Sequence, residues 1–171
     1  MTTRERENMT PVSRQTLDAL TAGIKSEVAA YVFYIEAARK QTSAEIRDTL
    51  QKLALEEKDH FHVLERQYDS LVRSERWIST ADILKQSGLP EISEDMTSEH
   101  AVLIEEVRKA ATTHDVLKIA YRLEEEAYEL FAGEAERATA PEARAIFDKL
   151  SRFEETHLIL IKEMMRKYPP G

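Results

Sequence analysis

A chain of 171 residues, 42% apolar and 33% charged, is long enough for one domain with a full core and is neither disordered nor a membrane span. Only 4 Gly, 5 Pro and 7% aromatic residues leave too little turn punctuation for a sandwich or barrel, so an all-α fold is expected. The absence of Cys excludes disulfides, thiolate nucleophiles and Cys-held metal clusters, and a net charge of −8 argues against a nucleic-acid partner.

Residues 1–10 carry Arg4, Glu5, Arg6 and Glu7, with no apolar run of the signal-peptide kind, and read as a polar leader. No stretch approaches the roughly 18 apolar residues of a membrane span, so a cytoplasmic chain with no membrane partner is expected.

Thr10-Pro11 is a helix-start signal. From there Leu17, Leu20, Ile24, Glu27, Tyr31, Tyr34 and Ala38 step by threes and fours, the seam of a bundle helix that ends near Gln41. Thr42 and Glu45 have capping-box spacing and open a second helix with the seam Ile46, Leu50, Leu53, Glu57, His60, Leu64 and Leu71. The pattern breaks over 73–112. Ser79 or Thr80 can cap a short helix over 81–86, stopped by Gly88 and Pro90, and Ser98 can cap another that runs to about Ala111. Thr113 with Asp115 opens a third long helix, with the seam Leu117, Tyr121, Glu124, Tyr128, Phe131 and Ala135. Thr139 and Glu142 form a second capping-box pair, before the seam Ala143, Phe147, Leu150, Glu154, His157, Ile161, Met164 and Tyr168; Pro169-Pro170-Gly171 ends the last helix.

Shifting the chain by 97 residues superposes its halves. Glu27 falls on Glu124, Tyr31 on Tyr128, Ala38 on Ala135, Glu57 on Glu154 and His60 on His157, without a gap between 20 and 71. Two similar helical hairpins, 11–72 and 113–168, are therefore expected within one domain, joined by the 73–112 connection. Glu27 and Glu57 lie 15 residues on either side of Thr42, as Glu124 and Glu154 do about Thr139. At ~1.5 Å per residue each pair sits roughly 22 Å from its turn, so the members of a pair share one height.

Four Glu and two His thus interrupt otherwise apolar seams. Burying an unpaired carboxylate is unfavourable by several kcal/mol, and two imidazolium ions cannot balance four carboxylates. Two divalent cations can, with both His neutral. The i, i+3 spacing of Glu57-His60 and Glu154-His157 lets one helix face offer a carboxylate and an imidazole together. Of the five His, only these two have Glu three residues before them. Imidazole with carboxylate suits iron or manganese, and zinc also accepts it. The acidic neighbours Glu125 and Glu126 fit a solvated face, as does Asp59; His62, His100 and His114 fall outside the repeat and read as surface residues. Tyr31, Tyr121 and Tyr128 read as packing, and Trp77 as an anchor for the connection.

These residues resemble the ferritin-like superfamily, and within it rubrerythrin-related proteins, over about 12–168. The resemblance implies a ferritin-like four-helix bundle with two iron ions. It implies Glu57 and Glu154 as bridging carboxylates, Glu27 and Glu124 as terminal ones, His60 and His157 as imidazole ligands, and Tyr34 as the tyrosine beside the metals. It implies a non-haem di-iron oxidoreductase reducing peroxide or O2, in a homodimer. Complete rubrerythrins carry a four-Cys rubredoxin module that this chain lacks, so an external electron donor is implied. They also place a further Glu where this chain has Ala127, which makes the site more symmetric. The chain has no fifth helix after the fourth, unlike the subunits of ferritin cages. Two other readings fit the residues: a ferroxidase or iron-binding protein, and a metal-free helical bundle that binds a partner.

Overall fold

Ser13 sets the start of the first helix by accepting a hydrogen bond from the Thr16 amide at 3.1 Å. The computed structural model describes residues 13–170, so the leader, the Thr10-Pro11 signal and Gly171 lie outside the described residues. Seven helices and no strand occur among the described residues: α1 (Arg14–Lys40), α2 (Ala44–Ser74), α3 (Thr80–Leu84), α4 (Glu94–Ser98), α5 (Ala101–Lys109), α6 (Thr113–Arg137) and α7 (Pro141–Lys167). The architecture is the expected all-α bundle. The pairs α1–α2 and α6–α7 form antiparallel hairpins, and α1 packs against α6. No helix among the described residues is long and apolar enough to cross a membrane.

The helix starts differ from the sequence reading in their capping chemistry. α2 is preceded by Ser43, without a side-chain cap, so the Thr42–Glu45 box does not form; Glu45 instead pairs with Lys167 of α7. α7 begins on Ala140 with Pro141 in its first turn, and the Thr139–Glu142 box is absent as well. The fixed φ of proline already suits the first helical position, so no side-chain cap is needed there. A capping box does form at α6, one residue earlier than expected, between Thr112 and Asp115.

The connection holds three short helices rather than two. Ser79 caps α3, which spans Thr80–Leu84 and stops before Gln86. Ser93 caps the unforeseen α4, and Ser98 closes that helix instead of capping α5, which runs Ala101–Lys109. Buried side chains fix this segment to α2. Gln67 donates to the Arg76 carbonyl and accepts from the Ile78 amide, and His62 Nε2 donates to the Pro90 carbonyl at 2.9 Å. His114 Nδ1 similarly donates to the Tyr168 carbonyl at 2.9 Å. His62 and His114 are therefore buried, not surface residues, because each serves a backbone carbonyl far away in sequence. Glu125, Glu126 and Asp59 are exposed as expected, and Trp77 packs on the core.

Two large apolar clusters fill the bundle, beside a small one of Val28, Val32 and Phe61. One gathers Phe33, Tyr34, Leu50, Leu53, Leu117 and Ile161; the other gathers Leu20, Leu64, Phe131, Phe147 and Leu150. The layer between them is polar, and it contains the six residues that break the seams.

Candidate metal centre

Each long helix contributes to this layer: Glu27 from α1, Glu57 and His60 from α2, Glu124 from α6, Glu154 and His157 from α7. All six are buried, none more than 7% exposed. The equal heights expected within each hairpin bring each helix's residues level with its partner's, and the antiparallel α1–α6 packing brings the two hairpins' sets together.

The donor atoms form two groups: Glu27, Glu57, His60 and Glu154, and Glu57, Glu124, Glu154 and His157. Within each group the atoms lie within 4.8 Å of one another. His60 Nδ1 stands 3.1 Å from Glu57 Oε2, 3.3 Å from Glu154 Oε1 and 3.5 Å from Glu27 Oε2. His157 Nδ1 stands 2.9 Å from Glu57 Oε1, 3.3 Å from Glu124 Oε2 and 3.3 Å from Glu154 Oε2. Glu57 and Glu154 thus turn one oxygen to each group. One ring nitrogen carries at most one proton and cannot hydrogen-bond three carboxylates at once. Glu27 Oε1, Glu57 Oε1 and Glu154 Oε1 are buried with no hydrogen-bond partner among the described residues. One nitrogen and three carboxylate oxygens per group, with two carboxylates shared, fit a pair of divalent cations.

The titration behaviour follows from the same crowding. Burial, then the charges of Glu154 and Glu57, holds Glu27 well above the usual carboxylate range. Burial and the charge of Glu57 do the same to Glu124. Burial would also raise Glu57, but the nearby imidazoles of His157 and His60 outweigh it and hold this carboxyl below the usual range. Burial favours neutral imidazoles, yet the surrounding carboxylates raise both His60 and His157. The cluster therefore draws in positive charge: the two terminal carboxylates and the imidazoles hold protons more tightly than usual, and a cation would compete with those protons.

Tyr34 is buried and donates its hydroxyl hydrogen bond to Glu124 Oε1. Burial, with the charges of Glu124 and Glu57, raises this phenol, so it stays protonated and remains a donor. Two further residues touch the imidazoles and were not singled out in the sequence. Glu56 Oε2 lies 3.0 Å from His157 Nε2, and the Phe153 ring centroid lies 5.0 Å from that of His60. The 97-residue shift maps Glu56 onto Phe153, so the two halves differ at the position that meets the outer edge of an imidazole. Ala127 is buried among apolar neighbours and brings no carboxylate.

Residues 18–165 match the rubrerythrin family model, a span that contains all six residues and Tyr34. The chain belongs to the rubrerythrin family. As a rubrerythrin it falls among proteins that typically bind iron, and its buried Glu/His groups are of the kind that could hold a metal. No curated protein and no solved structure matches the chain.

Proposed function

We propose that this chain is a non-haem di-iron oxidoreductase that reduces peroxide or O2. The observation that carries the proposal is the pair of buried groups sharing Glu57 and Glu154 through opposite oxygens. Glu57 and Glu154 would bridge two ions, Glu27 and Glu124 would terminate them, and Nδ1 of His60 and of His157 would each complete one. When bound, a pair of iron ions supplies two electrons and a Lewis-acidic place for an O–O bond. Manganese or zinc would fit the same donors.

The chain's own residues prepare the site. Glu56 accepts the Nε2 proton of His157, so that Nδ1, turned toward the carboxylates, would be free to bind a cation once its own proton is displaced. Tyr34 fixes one oxygen of Glu124, and the apolar clusters above and below exclude bulk water. In this reading an external donor supplies the electrons. A homodimer is part of this reading.

Ferroxidase activity, with Fe2+ as the substrate, is the second reading; Glu56 and Asp59 support it by lining the opening toward His60 and His157. Anaerobic stopped flow separates the two. Iron-loaded, reduced protein should be oxidised faster by hydrogen peroxide than by O2; equal or slower reaction with peroxide overturns the peroxidase reading.

A further inference from the structure

A cavity of ≈ 370 Å3 lies between α2, α3 and α7, with His60 and His157 in its wall. Its other lining is mainly apolar: Val63, Leu84, Ile146, Leu150 and Phe153. Hydrogen peroxide needs little of this space, roughly 60 Å3 if it occupies about twice the share of one water molecule. An apolar cavity of ~150 Å3 already admits benzene, so this one has room for an aromatic ring with a branched substituent.

The lining also indicates polarity and charge. Leu84 and Phe153 are large apolar side chains each left 41% exposed, and both line the cavity. Phe153 rests against His60, so a group packed on Phe153 lies one ring away from the carboxylate layer. The acidic members of the lining, Glu56 and Asp59, disfavour an anionic tail, and Lys149 is turned onto the Phe153 ring, 5.8 Å from its centroid.

We propose that this cavity binds the tail of a small uncharged organic hydroperoxide and presents its O–O group to the layer at His60 and His157. The proposal rests on the peroxide reading above and names its substrate class. The O–O bond breaks, two electrons and two protons are taken up, and the products are the corresponding alcohol and water. The two electrons would come from the external donor by way of the metal pair that the Glu27, Glu57, Glu124, Glu154, His60 and His157 layer would hold.

Binding can be read without turnover. 2-Phenylpropan-2-ol, the unreactive alcohol product of cumene hydroperoxide, is titrated into full-length, chelator-treated protein and followed by NMR. Saturable shifts at Val63, Leu84, Leu150 and Phe153 are expected. Leu84→Trp should weaken this binding about tenfold or more, the scale on which a pocket discriminates by shape. In iron-loaded protein the same substitution should lower the ratio of kcat/KM for cumene hydroperoxide to that for hydrogen peroxide, mainly through KM. If Leu84→Trp does not fold, Phe153→Ala gives the same reading through loss of the packing surface. Absence of saturable shifts, or wild-type binding by a folded variant, overturns the proposal. Reaction with hydrogen peroxide but no alcohol binding overturns this proposal alone. Alcohol binding with no reaction toward either peroxide overturns the peroxide reading, and the substrate assignment with it.

Discussion

Glu56 offers the sharpest test of how the two halves of the site differ. Its carboxylate accepts from His157 Nε2 at 3.0 Å, while the equivalent position beside His60 is Phe153. Glu56→Ala removes the group that fixes the His157 tautomer and raises its basicity as a ligand. Losing such a partner weakens metal binding by about 10–100-fold. The Glu56 side chain is 40% exposed, so solvent screens part of its charge and the lower end applies. That corresponds to about tenfold, or ~1.4 kcal/mol. On the proposed assignment, only the ion that Glu124 and His157 would hold should be affected. Competition against a chelator at neutral pH should therefore resolve two binding steps, one weakened about tenfold and the other little changed, with Glu56→Gln intermediate. Equal weakening of both steps, or of neither, refutes the asymmetry.

Tyr34→Phe strips a buried carboxylate oxygen of Glu124 of its donor and should cost the metal-free protein about 1–3 kcal/mol, read from the urea midpoint. Gly23→Ala would set a Cβ 2.9 Å from both Leu64 Cδ1 and Phe131 Cε1. The overpacking, about 1–3 kcal/mol, outweighs the ~1 kcal/mol gained in helix propensity, so the melting temperature should fall. The pH dependence has a defined sign. His60 and His157 are raised in the folded state, so their contribution is full below the unfolded value near 6.5 and is lost as pH rises above it. Glu27 and Glu124 are raised as well, and their contribution is full below about 4.5 and likewise lost upward. Chelator-treated protein should thus melt higher at pH 6 than at pH 8, whereas metal affinity should fall on acidification because ligands must shed protons. A metal-free protein that is more stable at pH 8 contradicts this charge assignment.

The candidate site was legible in the sequence because its residues violate the pattern around them. Glu27, Glu57, His60, Glu124, Glu154 and His157 occupy seam positions that call for Leu or Ile, and the 97-residue shift pairs them. Glu56 and Phe153 carry no such mark. On a helix, Glu56 looks like any solvated acid and Phe153 like a stray apolar side chain, and only the facing of α2 and α7, which brings each to the other helix's imidazole, gives them a role. Their correspondence under the shift was the available signal. The burial of His62 and His114 has no local signal for a related reason: their partners, the carbonyls of Pro90 and Tyr168, lie 28 and 54 residues away, beyond any local pattern. The helix starts were blurred where Pro141 and Ser43 replaced the capping boxes that Thr139 and Thr42 suggested.

The central claim is that Glu57 and Glu154 are shared by two cations. Anomalous scattering at the iron edge, on crystals of iron-loaded protein, tests it most directly. Two peaks per chain are expected, one among Glu27, Glu57, His60 and Glu154 and the other among Glu57, Glu124, Glu154 and His157, with both lost in Glu57→Ala. A single peak, peaks elsewhere, or two peaks that persist in Glu57→Ala would contradict it.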